Sequence, residues 1–251
     1  MRWIRLAEPP ASGPFNFSRK FYHMLGLFVP FWLYFDVLAF LDGGAHHLSR
    51  FVGVLLLAGF VTFMVVFDTL RFSNATLNRF FTRVVGPLLK EEEHDRYNAT
   101  IPYFLACLIL FLFCSPEVVM LSCIFLMVGD PFAAYAGMYY GRLRFWNGKS
   151  LEGLLAFIVF GLLGSLIFLW WNGEHDLSGS VFTLTLDLMP VVVSGVIAAA
   201  VAEFFSVIGL RGIMDDNLVV PLAGAIGLII VGVSSGIPFA SLLFDPRTLF
   251  Q

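Results

Sequence analysis

Charge is the scarcest resource in this 251-residue chain: Asp, Glu, Lys and Arg make up 13% of it, about half the share of an ordinary soluble domain. Too little polar surface remains to keep a globule of this size in water. Cysteine is nearly absent. Cys107, Cys114 and Cys123 all lie in apolar stretches, and three thiols without regular spacing build neither a disulfide framework nor a zinc site. There is no excess of basic residues; the net charge of −3 excludes a generally basic nucleic-acid binder. Met1 to Pro14 holds no apolar run, so no cleavable signal peptide is expected. No internal repeat or low-complexity segment stands out.

What is abundant is apolar. Hydrophobic residues are 59% of the chain, 29 of the residues are Phe, and the mean hydropathy is +0.85. A membrane-crossing helix needs about 20 mostly apolar residues. Seven stretches qualify or come close: Phe21 to Leu41, Phe51 to Leu70, Ile101 to Cys114, Val118 to Tyr140, Leu154 to Trp171, Val181 to Ile208, and Leu218 to Ser235. The third is short, and the start of the sixth, near Leu186 and Asp187, reads as an interfacial turn. The expected fold is therefore all-α: one polytopic transmembrane domain over residues 1–251, with about seven helices. With seven spans, thirteen of the fifteen Lys and Arg residues fall on one side, leaving only Arg50 and Arg247 opposite. The positive-inside rule then puts the N-terminus in the cytoplasm. Residues 1–18, 71–100 and 141–153 become cytoplasmic segments, in a multi-pass plasma, inner or endoplasmic-reticulum membrane.

Asp130 is the strongest chemical signal. It sits inside the fourth stretch, in Gly129-Asp130-Pro131-Phe132-Ala133-Ala134. A carboxylate at that depth costs a few kcal/mol unless it is paired, metal-bound or hydrated, which marks a functional group. Pro131 is expected to break the helix there. Downstream, Gly141-Arg142-Leu143-Arg144 and Gly148-Lys149-Ser150-Leu151-Glu152-Gly153 place glycines and cations beside a helix start, the makings of a phosphate cradle. Glu203 closes the sixth stretch on the same side, followed by Arg211, Asp215, Asp216 and Asn217. Oxygen ligands from Asp130, Glu203 and Asp216, with Asn217 beside them and no His or Cys, suit Mg²⁺ rather than a soft metal. Arg19, Lys20 and His23 open the first stretch, and Glu91 to Asn98 form a charged loop on the same face. Asp68 and Arg71 read as a plain i,i+3 helix pair. Anions, cations and hard-metal ligands gathered at one membrane face describe nucleotide-dependent work on a lipid.

The segment Gly129-Asp130-Pro131-Phe132-Ala133-Ala134-Tyr135-Ala136-Gly137, with Tyr140-Gly141-Arg142 and Lys149-Ser150-Leu151-Glu152-Gly153, resembles the CTP-dependent lipid kinases. These comprise dolichol or polyprenol kinase, phytol kinase and yeast-type diacylglycerol kinase, within a superfamily that includes phosphatidate cytidylyltransferase. Arg19-Lys20-Phe21-Tyr22-His23 with Gly26, Glu93 to Thr100, and Asp215-Asp216-Asn217-Leu218-Val219-Val220-Pro221-Leu222 fit the same group. The resemblance implies phosphoryl transfer from CTP to the hydroxyl of a membrane lipid. Asp130 and Asp216 would hold Mg²⁺, Lys149 and Arg142 would bind phosphates, and Glu203 would hold metal or accept the hydroxyl proton. Gly129, Gly137, Gly141, Ser150, Glu152, Gly153 and Asn217 would line the nucleotide site, with Arg19, Lys20, His23 and Glu93 nearby. The main alternative is cytidylyl transfer to phosphatidate. Those enzymes usually carry a Pro-Gly-His-Gly-Gly block near the C-terminus, and here no His follows His175. A small transporter would show polar groups on both sides of the midplane and repeat symmetry.

Overall fold

The computed structural model describes residues 4–6, 21, 23–42, 47–85, 96–175, 180–206 and 208–250. Arg19, Lys20 and Glu93 lie outside them. The chain is an all-α membrane protein with a two-stranded ribbon at one end. In order the elements are β1 (Ile4–Leu6), α1 (Phe28–Tyr34, entered through a 3₁₀ turn at Leu25–Leu27), α2 (His47–Ser73) and α3 (Ala75–Val85). Next come α4 (Thr100–Phe113), α5 (Pro116–Ile124), a π-helical turn at Phe125–Gly129, α6 (Asp130–Tyr139) and β2 (Leu143–Phe145). Finally α7 (Leu151–Glu174), α8 (Met189–Phe205) and α9 (Asp216–Ser234) lead to a C-terminal segment.

Among the described residues four helices are long and apolar enough to cross a membrane: Leu48–Ser73, Pro116–Tyr139, Leu151–Glu174 and Asp216–Ser234. Three shorter apolar helices, Leu25–Leu41, Thr100–Phe113 and Met189–Phe205, account for the other expected stretches. The sixth differs in extent. Residues 180–185 are irregular and 186–188 form the turn expected near Leu186 and Asp187, and Pro190 occupies the first turn of α8, where its missing N–H costs nothing.

Pro116–Tyr139 is the central rod. Within its most apolar stretch 72% of residues are buried, against 22–33% for the other three long helices, which face outward with Leu, Ile and Phe. Ser115 starts this rod as N-cap, its hydroxyl accepting from the Val118 amide at 3.4 Å, with Pro116 next. Phe125 sits at the centre, fully buried. A Cβ on Gly224 of α9 would lie 2.6 Å from its ring and one on Gly195 of α8 3.0 Å, so only glycine lets those backbones close on it.

Pro131 does not break the helix. The rod continues through it, and the π turn at Phe125–Gly129 takes up the misfit, with one wider turn just before the proline whose amide is missing. Asp130 thus lies on a continuous helix, at the edge of a π turn, rather than at a helix break.

Asp68 and Arg71 are not a plain surface pair. Their side chains are fully buried and joined at 2.7 Å. The second Asp68 oxygen accepts from the Asn98 amide at 2.7 Å, Arg71 also donates to the Arg96 carbonyl, and its guanidinium lies over the rings of Phe72 and Phe81. This clamp ties residues 96–98 to α2. Those residues in turn brace the loop before α9, since the Tyr97 amide donates to the Arg211 carbonyl at 2.9 Å. Asp36 is buried and accepts from Ser49 Oγ at 2.5 Å. All three cysteines are free, buried and packed in the core.

Candidate active site

A tight ribbon builds the site. Asn147-Gly148 is a hairpin signal, and Gly148 takes a φ of +81°, which only glycine adopts without strain. The turn closes through the Phe145 amide on the Lys149 carbonyl at 2.8 Å and the Gly148 amide on the Phe145 carbonyl at 3.0 Å. β1 adds to β2 antiparallel, with Arg5 opposite Arg144, so the N-terminal strand and the 141–153 loop lie at one end of the molecule. Ser150 then caps α7, its hydroxyl accepting from the Gly153 amide at 3.1 Å, and Glu152 sits in the first turn where the helix dipole favours an acid.

Glycines bring α6, the ribbon and α7 into backbone contact. A Cβ on Gly141 would stand 2.3 Å from the Gly137 carbonyl oxygen, and one on Gly153 would stand 2.9 Å from that of Ala133. Gly129 serves differently. It packs under the Phe157 ring, beside Asp130 but outside the cavity lining.

Beside this junction opens a cavity of about 230 Å³, lined by Asp130, Ala133, Ala134, Gly137, Met138, Arg144, Gly148, Lys149, Ser150, Gly153, Leu154 and Glu203. Its charges are organised. Lys149 Nζ donates to Glu203 Oε1 at 2.7 Å, to the Glu203 carbonyl, and to Ser206 Oγ at 3.3 Å. Asn147 Nδ2 donates to the Phe204 carbonyl at 2.6 Å. The ribbon tip is thereby docked on the C-terminal end of α8, where orphan carbonyls and the helix dipole welcome a cation. Asp130 Oδ2 lies 3.8 Å from His23 Nε2, placing α6 beside the start of the first apolar segment.

Asp216 and Asn217 open α9 just outside the lining. Asp130 and Asp216 are both near enough to Glu203 to repel its charge. Asp215 is the N-cap of α9, accepting from the Leu218 amide at 3.3 Å and from Asn217 Nδ2 at 3.1 Å. Burial, then the neighbouring Asp216, pushes its carboxyl up to about 7. Among the described residues, no three His, Cys, Asp or Glu side chains converge closely enough to hold a metal ion by themselves.

The sequence-predicted set is thus divided. Asp130, Gly137, Lys149, Ser150, Gly153 and Glu203 line one cavity, with His23 and Asp216 at its margin. Arg142 is absent from the lining and lies beside Glu152, whose carboxylate also receives the Leu143 amide at 3.3 Å. The arginine in the cavity is Arg144. Asn147 and Ser206 drew no expectation from the sequence, and Asp215 stood in the motif without a role of its own. The Asn147-Gly148 hairpin signal was legible, and it would have placed Arg144 and Lys149 on the same ribbon.

With this geometry in place, comparison with known proteins points one way. The chain is 28% identical over 189 residues to a CTP-dependent diacylglycerol kinase of Schizosaccharomyces pombe, covering 74% of this chain and 83% of that one. The similarity is to CTP-dependent lipid kinases. A second such enzyme, from Saccharomyces cerevisiae, is 26% identical over 173 residues, 65% of this chain and 58% of the yeast protein. An uncharacterized Rickettsia prowazekii protein is 24% identical over 216 residues, covering 83% of this chain and 91% of its own length. No protein-family model matches the chain, and no solved structure does.

Proposed function

We propose that the protein is a CTP-dependent lipid kinase that phosphorylates the hydroxyl of diacylglycerol or a similar membrane lipid, with its cavity open to the cytoplasm. The observation that carries this reading is the convergence of Asp130, Lys149 and Glu203 on one cavity at the end of a membrane helix bundle. Similarity to two CTP-dependent diacylglycerol kinases supplies the nucleotide and the acceptor class.

In the reaction, the lipid oxygen forms a bond to the γ-phosphorus, the bond from γ-phosphorus to the bridging oxygen breaks, and CDP leaves. Such transfers need chiefly positioning and neutralisation of charge. Lys149 stands where it can leave Glu203 for an incoming phosphate. Released from the ammonium, the Glu203 carboxylate is free to hold a cation or take the hydroxyl proton. Asp130 lies on α6, which also contributes Ala133, Ala134 and Met138 to the cavity lining, where a lipid headgroup would enter from the bilayer.

Mg²⁺ fits this donor set. Hard carboxylate oxygens are present, and Mg²⁺ is commonly held by one or two carboxylates together with substrate phosphates and water, so three preassembled ligands are not required. Asp130, Glu203 and Asp216 are the residues that would hold it, and it would supply neutralisation of the phosphate charge.

The test uses purified protein, diacylglycerol, Mg²⁺, and CTP labelled separately at the α and γ positions. Label from the γ position in the lipid is expected, with loss of transfer in Asp130→Asn despite normal membrane insertion. Label from the α position with release of pyrophosphate would make the protein a cytidylyltransferase. Label in neither case, with every lipid alcohol tried, would refute the reading.

A further inference from the structure

The two arginines of the ribbon have different surroundings. Arg142 is exposed beside the carboxylate of Glu152. Arg144 is half-buried, lines the cavity, and has no carboxylate within ion-pair distance among the described residues. Its Nη2 donates to the Gly137 carbonyl at 2.7 Å and its Nη1 to the Gly148 carbonyl at 3.0 Å. These two bonds hold the guanidinium plane between α6 and the ribbon tip. A guanidinium carries five N–H donors. Among the described residues two are used, and Nε is buried without any hydrogen-bond partner.

A half-buried guanidinium, held by neutral carbonyls and with a buried, idle Nε, is a preorganised anion receptor. The other cavity cation, Lys149, is already matched by Glu203 at 2.7 Å. Of the cavity's two cations, Arg144 is therefore the one without a carboxylate partner among the described residues. An anion of two or more charges, carrying several acceptor oxygens in a row, is what would complete it.

We infer that Arg144, rather than Arg142, is the arginine that contacts the nucleotide's polyphosphate. This deepens the kinase reading above and rests on it for the identity of the nucleotide. The anion contact itself can be tested without turnover.

Two measurements on full-length protein in detergent separate contact from clamping. The first is the rise in melting temperature produced by pyrophosphate, with lipid omitted; the second is KM for CTP at saturating diacylglycerol. In Arg144→Gln the pyrophosphate-induced rise should vanish and KM for CTP should increase about 10- to 100-fold, with KM for the lipid little changed. Arg144→Lys keeps the charge and should retain part of the rise, whereas Arg142→Gln should perturb KM less than Arg144→Gln.

A folded Arg144→Gln with a wild-type pyrophosphate response and KM would overturn the inference. So would a Lys variant as poor as the Gln variant, which is the mark of a mere clamp, or a larger KM effect at Arg142. If Arg144→Gln does not fold, Arg144→Lys decides alone: weaker pyrophosphate binding supports the contact and unchanged binding overturns it. Wild-type protein that responds to pyrophosphate yet transfers no γ-phosphate would remove the kinase reading while leaving Arg144 an anion contact. Wild-type protein that does not respond to pyrophosphate would remove Arg144.

Discussion

Replacing Lys149 by methionine keeps the apolar stem and deletes the charge that holds the ribbon to α8, so the strength of that junction can be measured directly. The pair is separated by 2.7 Å, with the lysine side chain 28% exposed and the glutamate 11%. Coulomb attraction at that distance, with an effective dielectric constant of about 20, is roughly 6 kcal/mol before desolvation is subtracted. Exposed pairs retain about 0.5 kcal/mol of this, whereas breaking a fully buried pair by removing one partner costs about 3–5 kcal/mol. The intermediate exposure places the expected coupling near 2 kcal/mol, about a 30-fold change in an equilibrium constant. The assay is a double-mutant cycle of Lys149→Met, Glu203→Gln and the combination, read by reversible unfolding in mixed micelles. Each single variant should destabilise the protein, and the double should fall about 2 kcal/mol short of the sum. Additivity within about 0.5 kcal/mol would show that the two groups are not coupled, and the docked ribbon would lose its electrostatic basis.

Two further outcomes are expected. Gly141→Ala forces a methyl group to 2.3 Å from the Gly137 carbonyl, so α6 and the ribbon must separate; a loss of about 1–3 kcal/mol in thermal stability should result, and wild-type stability would refute the close approach. Asp68→Asn removes the buried carboxylate that Arg71 Nε donates to at 2.7 Å. It should cost about 3 kcal/mol and speed proteolytic cleavage near residues 96–98, whereas an unchanged cleavage rate would show that the clamp does not hold that segment.

The membrane class was legible because it depends on composition and on run length, and both survive without knowledge of packing. Asp130 was legible for the opposite reason: one charge in an apolar run stands out wherever the helices go. The ribbon was harder. Strands of three residues are too short for a period to show, and β1 gains its partner from a segment more than a hundred residues away. Arg142 and Arg144 differ by two positions in the sequence. Only the register of the ribbon, with Arg144 opposite Ser150, settles which of them lines the cavity. Pro131 misled because a proline's effect on a helix depends on the turn before it, and a π turn is a tertiary accommodation with little local signature.

By itself the sequence determined that the chain is a helical membrane protein with one acid inside an apolar run and a glycine-bracketed lysine loop, since hydrophobic run length and the position of a charge within it are local properties. The tertiary structure alone decided that Lys149 meets Glu203, that Asp68 and Arg71 are sealed together in the core, and that Arg144 stands in the cavity. Each of those facts depends on which helix ends lie side by side, and that is set by how apolar faces and glycine notches pack across long stretches of chain.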